Sequence, residues 1–145
     1  MTETIGDVEH IKKLIPHRPP MLLVDEVISQ DKTSIVCKKT FHDEEFFHHG
    51  HYPGNPITPG LILCEACVQA GAILAAAFVD YDGVPVLARV NDVKFKHIVR
   101  PGDTVTLHVK RQDKLSTAHY MSGKVMVGDK TAVTLTFAVT VVDRE

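Results

Sequence analysis

Leu61-Ile62-Leu63-Cys64-Glu65-Ala66-Cys67-Val68-Gln69-Ala70-Gly71-Ala72-Ile73-Leu74-Ala75-Ala76-Ala77-Phe78-Val79 is the longest apolar stretch of the chain. Its length approaches the ~20 residues that cross a bilayer. Glu65 and Gln69 interrupt it, however, and it lacks an aromatic belt and a basic flank, so the membrane-spanning reading is set aside. A helix apolar on nearly every side is otherwise the buried centre of a soluble domain. The stretch therefore predicts one long central helix near residues 60–79, and the remaining sequence must supply what covers it.

Downstream of Pro85 the apolar period changes to two. Val105, Leu107 and Val109 alternate with Thr104, Thr106 and His108, and Val133, Leu135, Phe137, Val139 and Val141 alternate with smaller or polar residues, the pattern of half-buried strands. Gly128-Asp129 falls between two such runs and reads as a hairpin turn. About four strands thus follow the helix with no helix among them. Such segregation points to an α+β architecture, an antiparallel sheet wrapped against the helix. Upstream, Asp7 can cap a short helix from Val8 to Leu14, closed by Pro16 and the Pro19-Pro20 pair. Extended runs are expected from Met21 to Ile28 and from Thr33 to Phe41.

Composition sets the outer limits. A chain of 145 residues fits one compact domain, residues 1–145. With 44% hydrophobic and 23% charged residues, extensive disorder is excluded. A formal net charge of −2 argues against a nucleic-acid partner. Three cysteines cannot form a complete disulfide framework, so a reducing cytoplasm is expected. The polar, mildly acidic start from Met1 to Asp7 does not read as a signal peptide.

The chemistry concentrates between residues 42 and 60, a loop rich in His, Pro and Gly that feeds the helix. Pro53, Pro56 and Pro59 hold it extended and irregular. Just inside the helix, Glu65 and Gln69 stand four residues apart on one face. A carboxyl in so apolar a stretch either faces solvent near the positive end of the helix dipole or is desolvated and serves as a general acid. A helix beginning near Gly60 also offers backbone N–H groups to a developing oxyanion. A His, a Glu and an amide donor together suit proton abstraction beside a carbonyl with acid assistance to a leaving group. Loss of water from a 3-hydroxyacyl thioester is such a reaction, though spacing alone leaves it open.

Other signals rank lower. His42, His48, His49 and His51 follow no standard ligand spacing, so no metal is expected. Cys64-Glu65-Ala66-Cys67 has the C-x-x-C form but lies within the apolar run, where cysteine behaves as a small hydrophobe. Lys94, Lys96 and Arg100 form a modest basic group that reads either as a solvated edge or as a dock for an acidic partner.

Three segments carry a resemblance to a known family: Leu14-Ile15-Pro16-His17-Arg18-Pro19-Pro20-Met21-Leu22-Leu23-Val24-Asp25, Gly50-His51-Tyr52-Pro53-Gly54-Asn55-Pro56-Ile57-Thr58-Pro59-Gly60-Leu61-Ile62-Leu63-Cys64-Glu65-Ala66, and Val93-Lys94-Phe95-Lys96-His97-Ile98-Val99-Arg100-Pro101-Gly102-Asp103. The chain resembles the 3-hydroxyacyl-acyl-carrier-protein dehydratases of type II fatty acid synthesis, which have a hotdog fold. The resemblance implies that His51 is the base and Glu65 the acid, contributed by two different subunits. It implies that the Gly60 amide polarises the thioester carbonyl and that Gln69 holds Glu65. It further implies a homodimer or trimer of dimers, an acyl carrier protein as partner, and no cofactor. Glutamate at position 65 looks like the dehydratase-only branch. Tyr52 stands where Phe is common and Thr58 where Met is common; neither change removes a catalytic group, and Thr58 bears on the acyl tunnel or on loop packing. The rival expectations are a thioesterase of the same fold and a non-catalytic acyl-binding relative.

Overall fold

The computed structural model describes residues 4–78 and 83–143. Helix α1 spans Val8–Lys12, and the Asp7 carboxylate caps it by accepting the His10 amide at 3.0 Å. Strands β1 (Glu26–Gln30) and β2 (Ser34–Thr40) follow, and after the loop comes helix α2 (Gly60–Ala75). Four strands complete the chain: β3 (Gly83–Phe95), β4 (Thr104–Leu115), β5 (Ala118–Val127) and β6 (Lys130–Asp143). All six strands form one antiparallel sheet in the order β1-β2-β4-β5-β6-β3. The two-residue connection at Gly128-Asp129 pairs Val127 with Lys130, and Gly128 takes a φ of 60° there.

The alternating residues decide the faces. Ile35 and Cys37 of β2, Val105, Leu107 and Val109 of β4, Met121 and Val125 of β5, and Val133, Leu135 and Phe137 of β6 are all buried. They pack with α2, in which every residue from Ala66 to Ala75 is buried. Two glycines set how closely helix and sheet approach. A Cβ on Gly71 would lie 2.7 Å from the Phe137 ring, and one on Gly123 would lie 2.5 Å from the Cys67 sulfur. The arrangement is the expected α+β hotdog.

Three boundaries differ from expectation. Regular α2 ends at Ala75 because the bonding tightens: the Ala77 and Phe78 amides donate to the Leu74 and Ala75 carbonyls, three residues back. Val79 lies outside the described residues. Helix α1 stops at Lys12 for the same reason, with the Leu14 amide donating to the Ile11 carbonyl. The apolar run expected to be extended from Met21 becomes a strand only at Glu26. Leu22, Leu23 and Val24 are buried, yet the Leu23 amide and Met21 carbonyl bond to the Gln69 side chain at 2.8 Å each, and no strand partner takes them.

Candidate active site

Pro59 occupies the N-cap of α2 with no side-chain cap, so the first-turn amides of Gly60 and Leu61 have no partner within the helix. The Phe95 ring lies against Gly60: a Cβ there would sit 2.6 Å from the ring edge. Any other residue at position 60 would displace either the ring or the helix start. Phe95 itself is 55% exposed.

One turn further, Glu65 Oε2 accepts a hydrogen bond from Gln69 Nε2 at 2.7 Å. Gln69 is fully buried, and its three bonds, to Leu23, Met21 and Glu65, engage both N–H donors and the oxygen. Its orientation, and that of the carboxyl it holds, is therefore fixed. His17 Nε2 approaches the same Glu65 oxygen at 3.8 Å. The Glu65 side chain remains 31% exposed in the single chain, so one chain does not provide the desolvated setting that an apolar helix suggested.

His51 Nδ1 lies 2.9 Å from the Ile57 carbonyl oxygen. A carbonyl only accepts, so Nδ1 carries a proton, and in the neutral ring Nε2 presents a lone pair. His51 is half-buried, and its ring meets Tyr52 edge-on at 4.9 Å. Among the described residues no hydrogen bond or ion pair joins His51 to Glu65. Of the expected site residues, one chain thus joins Glu65 with Gln69 and leaves His51 apart from them.

The neighbouring histidines divide. His42 and His49 are exposed, whereas His48 is buried between the His42 carbonyl at Nδ1 and the Thr58 hydroxyl at Nε2, each 2.9 Å away. Among the described residues no three His, Cys, Asp or Glu side chains converge as a metal-binding group. Cys64 and Cys67 are buried free thiols, and burial raises the pKa of both, which suits packing and not redox exchange. Burial pushes the Cys37 thiol up to about 12.

Lys94, Lys96 and Arg100 are exposed. Arg100 is not a free cation, since its guanidinium donates to the Asn55 side-chain oxygen at 2.9 Å and so ties the loop tip to the turn after β3. Lys96 and Arg100 line a hollow of about 530 Å³ with Phe95, His97 and Ile98.

Two residues escaped sequence reasoning. His17 sits in the conspicuous Pro16-His17-Arg18 tripeptide, but only the fold brings it to Glu65. Lys39 occupies an inward position of β2 and is 4% exposed, paired with Glu45 at 2.9 Å and Asp25 at 3.8 Å. A lysine within an alternating strand gives no signal of burial until its two acidic partners are located.

Comparison with known proteins gives a consistent result. A FabA-like domain matches residues 15–136. The 3-hydroxyacyl-[acyl-carrier-protein] dehydratase FabZ of Lactiplantibacillus plantarum is 39% identical over 145 residues, covering 97% of this chain and 98% of its own. The enzyme of the same name from Koribacter versatilis is 40% identical, covering 95% and 90%. Among solved structures, the dehydratase heterocomplex ApeI:P from Xenorhabdus doucetiae superposes with a TM-score of 0.81 at 15% identity, over 92% of this chain and 91% of that one. The E. coli PaaI protein gives 0.64 at 16% identity, over 79% and 80%. At these identities the solved structures speak to the fold alone. No helix among the described residues is long and apolar enough to cross a membrane.

Proposed function

This chain belongs to the FabA-like family of 3-hydroxyacyl-acyl-carrier-protein dehydratases, and we propose that His51 and Glu65 carry its reaction in a site built from two copies. The enzyme dehydrates 3-hydroxyacyl thioesters of acyl carrier protein in fatty acid biosynthesis. On the (3R)-3-hydroxyacyl substrate, His51 Nε2 removes the C2 proton, and the electron pair left behind becomes the new C2–C3 double bond. Glu65 protonates the C3 hydroxyl, which departs as water and leaves the trans-2-enoyl thioester. The Gly60 amide donates to the thioester oxygen as negative charge builds there, and Gln69 keeps the Glu65 carboxyl aimed. No cofactor takes part, because the thioester itself acidifies the C2 proton. The observation that carries this assignment is the bond between His51 Nδ1 and the Ile57 carbonyl, which leaves Nε2 as the base.

A second copy is supported by β3, the long outer strand. Val86, Leu87, Val90 and Phe95 are 39%, 45%, 40% and 55% exposed along it, an apolar edge that pairing with another β3 would cover. We take the assembly to be a homodimer, or three such dimers together. Its place is the cytoplasm, in keeping with three unpaired thiols. The carrier protein docks at Lys94, Lys96 and Arg100, the last two of which line the hollow beside apolar Phe95 and Ile98.

The test follows enoyl formation and thiol release separately on a 3-hydroxybutyryl thioester. His51→Ala and Glu65→Gln are each expected to lose about 10²-fold or more in kcat with no thiol freed. Dehydration at the wild-type rate by either variant would overturn the assigned roles. Thiol release by the wild type without enoyl product would instead identify a thioesterase.

A further inference from the structure

The peptide unit joining Ile57 to Thr58 is held at both of its polar atoms. Its carbonyl accepts from His51 Nδ1 at 2.9 Å, and its N–H donates to the Val99 carbonyl at 2.8 Å. The Thr58 side chain adds a third restraint. Its hydroxyl lies 2.9 Å from His48 Nε2, with both residues 4–5% exposed. For a neutral His48 ring, proton counting sets the direction of both of its bonds. His48 Nδ1 faces the His42 carbonyl at 2.9 Å, so that nitrogen donates, Nε2 has only a lone pair, and the Thr58 hydroxyl must supply the hydrogen. The His48 carbonyl in turn accepts the His51 backbone amide at 3.3 Å. His51 is thus held from two sides, by the backbone of His48 and by the peptide that bears Thr58. The His48–Thr58 bond closes the loop between these two supports.

We propose that His48 and Thr58 are positioning residues for the base: their bond sets the plane of the Ile57–Thr58 peptide and so fixes the orientation and tautomer of His51. The proposal rests on the reading of His51 as the base. It assigns a purpose to the Thr58 departure from the family pattern and to a buried histidine that the reaction does not otherwise use. Both residues are buried beneath the loop. Both act by keeping the Ile57 carbonyl where it accepts from Nδ1, since a tilted carbonyl would release the ring to its other tautomer and turn a protonated nitrogen toward C2.

The experiment compares Thr58→Val, which keeps shape and removes the hydroxyl, with Thr58→Ser, which restores a hydroxyl. A double variant, His48→Phe with Thr58→Val, removes both members of the pair and leaves neither with an orphaned polar atom. Each is assayed on a 3-hydroxybutyryl thioester beside His51→Ala, and ring nitrogen shifts report the His51 tautomer by NMR. Thr58→Val is expected to lose roughly ten-fold in kcat, the scale of a small misplacement of a reacting group, with KM unchanged and mixed His51 tautomers. Thr58→Ser should return to near the wild-type rate, and the double variant should keep the loss. If the damage came only from a stranded polar atom, the double variant would recover, and the proposal would be wrong. It would be equally wrong if Thr58→Val lost thermal stability but kept full kcat while His51→Ala was inactive. Wild-type turnover by His51→Ala would refute the underlying reading of the base itself, and with it this inference.

Discussion

Two irregular segments meet at α2, residues 14–25 and residues 42–60, and they are held in opposite ways. The first is anchored by the core. Gln69, fully buried on the helix, takes its Met21 carbonyl and Leu23 amide, and Leu22, Leu23 and Val24 are buried beneath. The second is anchored largely by itself. Between Phe46 and Asn55 only Phe47 and His48 are buried, and the loop relies on the His48–Thr58 and His51–Ile57 bonds together with the Asn55–Arg100 tie and one bond to the core, from the Thr58 amide to the Val99 carbonyl. Lys39 joins the two by pairing with Asp25 at the end of one and Glu45 near the start of the other. The lesson concerns local stability. A segment bonded to the core opens only when the core opens, whereas a segment bonded to itself can open alone. The proposed acid, Glu65, lies beside the first kind of support and the proposed base, His51, within the second.

Breaking the first anchor should have the largest effect on stability. Gln69→Leu orphans the buried Leu23 amide and releases the part-buried Met21 carbonyl, so urea denaturation should show a loss of about 1–3 kcal/mol. A loss below about 1 kcal/mol would mean that the segment is held by its apolar residues instead. Acid probes the sheet, which neither segment includes. His119 on β5 is 5% exposed against the Phe78 ring, and burial, followed by Lys114 and Arg111, lowers its pKa below 6.5. His108 shifts the same way through burial and Lys124. The unfolded chain therefore takes up protons from about pH 6.5 downward while the folded chain does not, and stability falls as pH drops through that window. In His119→Phe the melting temperature should depend less on pH between 7 and 5; an unchanged slope would show that His119 does not carry the acid sensitivity. The smallest effect belongs to the exposed tie. Arg100→Ala should cost no more than about 1 kcal/mol, yet speed hydrogen exchange at the Asn55 amide, and unaltered exchange would show that the loop tip does not depend on it.

Much of this was legible beforehand, for identifiable reasons. The apolar run from Leu61 could only be a buried helix, and the period of two in residues 104–109 and 133–141 could only be strands with one face inward. The dehydratase resemblance rested on contiguous motifs, which a single sequence displays in full. Features that depended on distant partners were hidden. The apolar residues Met21 to Val24 look like a strand, but a side chain 46 residues beyond Leu23 takes that amide. The burial of His48 was hidden because Thr58, its partner, lies ten residues on and across a Pro-rich turn. Sheet order was not readable at all, since alternation tells which face of a strand turns inward and not which strand lies beside it.

That order has a consequence for how the protein is made. Strand β3 leaves the ribosome before β4, yet in the finished sheet it pairs with β6, the last strand of the chain. The first two strands can join as soon as both have emerged, whereas β3 must wait through the synthesis of β4 and β5 with its apolar side chains uncovered. Translation adds roughly 5–20 residues per second, so the delay lasts seconds, long compared with hairpin formation in microseconds. A stalled or truncated chain lacking β6 would leave β3 without its partner strand in the same chain. It would be a substrate for chaperones or for aggregation, however complete its helix and its catalytic residues.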